Sequence, residues 1–293
     1  MIRIVTDSSC DIPADLQDDL GITVVPLTIR FGDEEFIDKV ELTNDQFWGR
    51  LLSGEGLPET AAPSAGMFVE TYERLAEEGA TGILVLTLSS DLSATHQAAV
   101  IGAEKVTLDV KVLDSRSVSM GLGLQVIAAA EQAAGGATLA EIVDAAIGRV
   151  DKVEVVAALD TIEFLKRGGR IGGASALVAG LLDIKPIIVV RNGAIDGAGR
   201  VRTRSKAVEH IVTTCIEQGP SGRLSVFGGR TPRFSEIVDR ISVETGHEGI
   251  AAELGAVVGA HAGPGVLGMA HLSDWHASSG PRPRPTRGAD RAR

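Results

Sequence analysis

The stretch that most constrains the fold is Gly82-Ile83-Leu84-Val85-Leu86-Thr87-Leu88, followed by Ser89-Ser90-Asp91-Leu92-Ser93-Ala94-Thr95-His96. A short continuous apolar run of this kind reads as a strand buried on both faces. Gln97 to Ala103 then reads as a helix. A buried strand that turns straight into a helix is the repeating step of an open α/β sheet, in which ligands sit at the carboxyl ends of strands. A helix start leaves N–H groups unpaired and carries partial positive charge. The hydroxyl-rich turn is therefore a candidate anion site. No Lys or Arg adjoins it in the sequence, which suits a carboxylate better than a triphosphate. The plainer alternative is that Ser93 only caps the helix.

The same alternation covers the first half of the chain. Ile2 to Thr6 reads as a strand. Asp11 is expected to cap the next helix, with Pro13 in its first turn and Gly21 ending it. Ile22 to Arg30 reads as one β-branched strand, and Gly32-Asp33 as a turn before a short return strand. Thr43-Asn44-Asp45-Gln46 is a capping box opening a helix to about Leu52. A loop from Gly54 to Pro63 leads to Ser64, a cap for the helix Met67 to Glu78. Lys111 to Asp114 is a further strand, followed by helices over Leu122 to Ala134 and Leu139 to Val150.

From Val153 the pattern changes. A strand to Leu159 and a short helix over Thr161 to Lys166 precede a hairpin, Lys185 to Val190 and its return at Ala194-Ile195, around Asn192-Gly193. A helix over Ser205 to Glu217, a strand–helix pair from Leu224 to Thr245, and a last strand over Ala251 to His261 complete the reading. The expected fold is α/β in two domains. Residues 1–151 form a doubly wound, mostly parallel sheet, and residues 152–276 an α+β domain with a mixed or antiparallel sheet. Residues 277–293, rich in Pro and Arg, cannot bury a core and are expected to be a disordered tail. A ligand would most naturally lie between the domains.

Composition narrows the function. The hydrophobic share is 44% but aromatics are only 3%, so the core must be aliphatic. A net charge of -11 argues against a nucleic-acid partner. Cys10 and Cys215 give neither a disulfide framework nor metal-ligand spacing, which fits a reduced, cytoplasmic setting and no cofactor. No run of about eighteen apolar residues is present to span a membrane, although transient contact with one is compatible.

Six motifs then fall in one order. Thr6-Asp7-Ser8-Ser9-Cys10-Asp11-Ile12-Pro13 resembles the opening signature of the DegV family. Thr60-Ala61-Ala62-Pro63-Ser64 resembles its Thr-Ser-Gln-Pro-Ser loop, and Ser89 to Thr95 its Ser-Ser-Gly-Leu-Ser-Gly-Thr turn. Leu165 to Ile171, the Lys185-Pro186 and Gly199 to Thr203 segments, and His261-Ala262-Gly263-Pro264-Gly265 follow suit. The resemblance covers about residues 1 to 276. It implies a carrier, not itself a complete enzyme, that holds one long-chain fatty acid such as palmitate in an internal tunnel. It further implies presentation of the carboxylate to a separate ATP-using fatty acid kinase subunit, which makes the acyl-phosphate and so feeds phospholipid metabolism. Thr60, Ser93 and His261 match the carboxylate-binding positions, Ser64, Ser90 and Thr95 the supporting loops, and Arg170 and Arg202 the kinase-facing arginines.

The physics suits that role. Each buried methylene contributes about 0.8 kcal/mol, so a sixteen-carbon chain gains on the order of 10 kcal/mol before entropy is charged against it. A buried carboxylate needs hydrogen bonds, which Thr and Ser hydroxyls donate. Four positions depart from the family pattern. Ala61 and Ala62 remove polar groups. Asp91 adds a charge where glycine's positive φ is usual, and Ala94 replaces a second glycine. A stand-alone hydrolase or phosphotransferase using Ser93 and His261, and a carrier of another anionic amphiphile without a kinase, are the alternatives. The first finds no nucleophile elbow, metal cluster or Walker motif in its favour.

Overall fold

The computed structural model describes residues 1–178, 184–218, 222–246 and 248–273; the tail expected over 277–293 lies outside them. The first half is built on a four-stranded, all-parallel sheet in the order β2-β1-β6-β7: β1 Ile2–Asp7, β2 Thr23–Val25, β6 Gly82–Thr87 and β7 Val110–Asp114. Every residue of β6 is buried, as its unbroken apolar run requires. Helices α1 (Ala14–Asp19), α2 (Asn44–Ser53), α3 (Ala65–Glu77), α4 (Thr95–Ala103), α5 (Met120–Ala134) and α6 (Leu139–Arg149) alternate with the strands. The capping boxes at Thr43/Gln46 and Thr138/Glu141 and the Ser64 cap set the starts of α2, α6 and α3.

The second half carries a six-stranded mixed sheet in the order β10-β9-β8-β13-β11-β12. Its members are β8 Val153–Ala158, β9 Lys185–Arg191, β10 Ala194–Val201, β11 Gly222–Gly229, β12 Ile250–Glu253 and β13 Val266–Ser273. Only β11 and β12 pair in parallel. The hairpin turn falls at Asn192-Gly193, both at positive φ, the backbone that Asn-Gly readily adopts. Helices α7 (Glu163–Arg167), α8 (Arg204–Gln218), α9 (Phe234–Thr245) and α10 (Ala256–Ala262) complete this half.

Alternation along the strands of the second sheet separates two cores, and a third lies on the other face of the first sheet, where Val5, Ile83 and Val85 meet Phe68 and Tyr72. Val156, Ala158, Ile187 and Val189 join an outer cluster with Ile211 and Ile241 of α8 and α9. Val155, Ala157, Ile188 and Val190 face the first half and join one continuous core with Ile4, Leu84 and Val126. The two halves are also bonded directly. Ser89 Oγ donates to Gly193 O at 2.6 Å, and Trp48 Nε1 to Leu254 O at 3.3 Å.

The expected fold class holds, with four local corrections. The strand over 22–30 is broken at Pro26, which lacks an N–H to pair. Beyond it, β3 (Thr28–Phe31) enters a separate antiparallel sheet, β4-β3-β5, with β4 Glu34–Ile37 and β5 Glu59–Ala61; β5 replaces part of the expected loop. Asp11 does not cap α1, whose N-cap is Pro13, because its carboxylate turns inward. The strand over 251–261 ends at Glu253, and α10 follows; the last strand is β13. Val257-Val258 favours a strand by propensity, but burial against the first half selects the helix.

Candidate functional site

Between the two sheets lies a cavity of about 200 Å³. Leu27, Leu88 and Val118 wall it from the first half, and Val155, Ile188 and Val190 from the second sheet. Helix α10 closes one side with Val257, Val258, His261 and Ala262, neighbours at helical spacing. The polar lining is sparse: Thr60, Ser93, Arg170 and His261, with Ser119, whose hydroxyl is bonded to Asp11.

Each polar group is set by its element. Thr60 is the middle residue of β5, in register with Ile29 of β3. His261 lies in the last turn of α10, and Thr60 Oγ1 meets its Nε2 at 2.8 Å across 201 residues of sequence. The ring packs on Gly168, where a Cβ would overlap Nδ1. That Nδ1 is buried with no hydrogen-bond partner among the described residues. Burial, then the neighbouring Arg170 guanidinium, lowers the imidazole pKa from 6.5 to about 4, so the ring is neutral at pH 7.

Arg170 follows α7. Its Nε donates to Leu92 O at 3.1 Å and its Nη1 to Gly168 O at 2.7 Å. The expected outward-facing arginine is thus half-buried in the cavity wall, bonded to the serine turn that the sequence reads as lacking a cation. Folding supplies the charge from the other half of the chain. Ser93 also lines the cavity, but it is not the N-cap of α4; that residue is Ala94. Ser93 Oγ instead accepts from Thr95 N–H at 3.3 Å and pairs with Thr95 Oγ1 at 2.9 Å.

The other sequence-derived residues lie elsewhere. Ser64 is exposed and caps α3. Ser90 Oγ donates to Asp114 Oδ2 at 2.6 Å on the surface. Thr95 is buried behind Ser93. Arg202 is exposed after β10 and makes no ion pair with the described residues. Asp91 and Ala94 both keep φ out of the left-handed region, so neither position needs glycine. The Asp91 carboxylate sits beside Gly193 in the hairpin turn.

The arrangement is an apolar chamber with hydroxyls, a neutral imidazole and one guanidinium gathered at one place, suited to an amphiphile with an anionic head. Ser93 and His261 are each bonded to a threonine, Thr95 and Thr60, and not to each other. No group of three or more His, Cys, Asp or Glu able to hold a metal occurs among the described residues. None of the described helices is long and apolar enough to cross a membrane.

Comparison with known proteins places this geometry. Residues 1–274 match the model of the DegV family, described as uncharacterised proteins. A DegV domain-containing protein of Streptomyces coelicolor is 38% identical over 275 residues, covering 92% of this chain and 97% of the relative. The structure of a fatty-acid-binding DegV family protein from Thermus thermophilus superposes with a TM-score of 0.83 at 33% identity, over 93% of this chain and 99% of that one. DegV of Bacillus subtilis, a fatty acid binding protein, gives 0.83 at 28% identity, over 93% of this chain and 99% of that one. With matching motifs, topology and near-complete coverage, the chain belongs to the DegV family.

Proposed function

We propose that this protein binds a long-chain fatty acid in the cavity between its two sheets. The carboxylate is held by Thr60, Ser93 and His261, with Arg170 beside them. The observation that carries the reading is the group Thr60, Ser93, Arg170 and His261 in walls that are otherwise apolar save for Ser119. A fatty acid has the same division of one charged end and a long apolar chain. Fatty-acid-binding relatives of the same fold support it. On this reading the chain divides at residues 151/152 into two domains that enclose the ligand, and the fatty acid is its ligand in place of a cofactor.

We further propose that the carrier presents the carboxylate to a fatty acid kinase subunit that uses ATP. Hydroxyl donors leave a carboxylate oxygen nucleophilic enough to attack the γ-phosphorus of ATP; the bond from that phosphorus to the β,γ-bridging oxygen breaks, ADP leaves, and no proton need be removed because the acid is already ionised. The exposed Arg202 suits contact with a partner's phosphates. The test is mass spectrometry of an organic extract of the purified protein, followed by incubation with a fatty acid kinase, ATP and palmitate. One fatty acid per chain and acyl-phosphate formation are expected. An empty protein that takes up no added palmitate would overturn the carrier reading. Binding without acyl-phosphate would overturn the kinase reading alone.

A further inference from the structure

Asp11 lies outside the cavity, yet its carboxylate holds two segments that wall it. The residue is only 3% exposed. Oδ1 accepts from Gly255 N–H at 2.8 Å, and Oδ2 from Ser119 Oγ at 2.6 Å. Gly255 immediately precedes α10, and Ser119 immediately precedes α5. Asp11 and Ser119 both adopt positive φ, at 50° and 54°. Such backbone persists in a non-glycine residue where surrounding bonds over-determine it.

Helix α10 has seven residues, too few to be stable by its own backbone bonds. Its position depends on what holds its ends. His261 lies six residues beyond Gly255, about 9 Å along the axis. At that end the imidazole meets Thr60. Two polar side chains bonded at the ends of α10, Asp11 and Thr60, thus come from the first half of the chain, whereas the helix belongs to the second. Leu254, just before Gly255, is held as well, its O by Trp48 Nε1 and its N–H by Gly228 O. The face between the anchors carries Val257 and Val258 into the cavity.

We propose that Asp11 is a positioning residue for carboxylate recognition, acting through α10 to fix His261 against Thr60 and Arg170. This rests on the cavity being a fatty-acid site. A positioning role separates from a merely structural one by head-group selectivity. Loosening the whole chamber weakens every ligand of a given chain, whereas displacing His261 weakens only the acid.

The experiment compares palmitate with hexadecanol, which has the same chain and an uncharged head, in wild type, Asp11→Ala and Gly255→Ala. The second variant keeps the carboxylate. Gly255 has φ of -76°, which alanine adopts freely, but its Cβ would lie 2.8 Å from Asp11 Oδ1 and push the start of α10 away. Should Asp11→Ala fail to fold, Gly255→Ala makes the same test. Palmitate affinity is expected to fall about tenfold with Asp11→Ala and about threefold with Gly255→Ala, with hexadecanol unchanged within twofold. Asp11→Asn, which keeps an oxygen for the Gly255 N–H, should restore most of the loss. Equal losses for both ligands, or no loss in either variant, would overturn the proposal. Wild-type protein that takes up neither ligand would instead overturn the fatty-acid reading on which it rests.

Discussion

Thr60 Oγ1 and His261 Nε2 lie 2.8 Å apart, joining a short edge strand of the first half to a short helix of the second. The bond closes the cavity at its polar end and fixes which imidazole nitrogen remains available. Nδ1 is buried against Gly168 with no hydrogen-bond partner among the described residues. Thr60→Val removes the hydroxyl while keeping the shape. Palmitate affinity should fall about tenfold, as for loss of a hydrogen bond to a charged group, near 1.5 kcal/mol. Titration calorimetry checks this, and an unchanged affinity would remove Thr60 from the head-group site.

Gly168 gives an independent handle on the same ring. Its φ is -72°, so alanine is unstrained there, but the added Cβ would occupy the space of His261 Nδ1. Gly168→Ala should therefore behave like a mild His261 variant, weakening palmitate several-fold with little loss of backbone stability. Imidazole NMR shifts in the variant report whether the ring has moved. Normal affinity with a displaced ring would separate His261 from carboxylate binding.

The buried β6 strand, the Thr43/Gln46 capping box and the Asn-Gly hairpin were legible because each rests on local chemistry: an apolar run, a Thr-x-x-Gln spacing, a turn needing positive φ. The six motifs also picked out Thr60, Ser93, Arg170 and His261, all of which line one cavity. What was not legible is what distant segments do to each other. Nothing near Ser93 in the sequence announces that Arg170 will bond Leu92 O. Asp11 reads locally as a cap, and only its distant partners Ser119 and Gly255 show otherwise. Val257-Val258 reads as a strand until the anchors of α10 are seen. Ser90, close in sequence to the lining residue Ser93, serves only a surface bond, whereas Ser64 is the helix cap that its local sequence indicates.

Ser93 and Ser90 supply a paired test of that distinction. Ser93→Ala removes a lining hydroxyl and should weaken palmitate about tenfold. Ser90→Ala breaks only the exposed bond to Asp114 and should leave affinity within twofold. Equilibrium binding of the two variants side by side decides the matter. Equal effects from both would mean that the serine turn acts as a whole and that Ser93 has no contact of its own with the ligand.

The pH dependence of stability carries opposed contributions, among them those of His261 and Asp11. His261 has a folded pKa of about 4 against an ordinary 6.5, set first by burial and then by Arg170. Between those values the unfolded chain binds more protons, so this group lowers stability as pH falls from 6.5 to 4, by about 3 kcal/mol in all. Asp11 behaves in reverse. Burial raises its pKa from 3.8 to about 6, against the lowering effects of Lys39 and the Ser119 and Gly255 bonds, with Asp38 adding a small rise. The folded chain then binds the extra proton, and stability rises by about 3 kcal/mol as pH falls from 6 to 4. Burial also raises the Asp7 and Asp38 carboxyls and lowers the His271 imidazole, so the His261 contribution is read from a variant and not from the wild-type profile. Replacing His261 by Asn removes only that contribution. The variant's melting temperature relative to wild type should therefore be higher at pH 4.5 than at pH 7, all other carboxylates being common to both proteins. Parallel melting curves at the two pH values would show that His261 is not held neutral by its burial, and would return the imidazole to the solvent-facing side of the site.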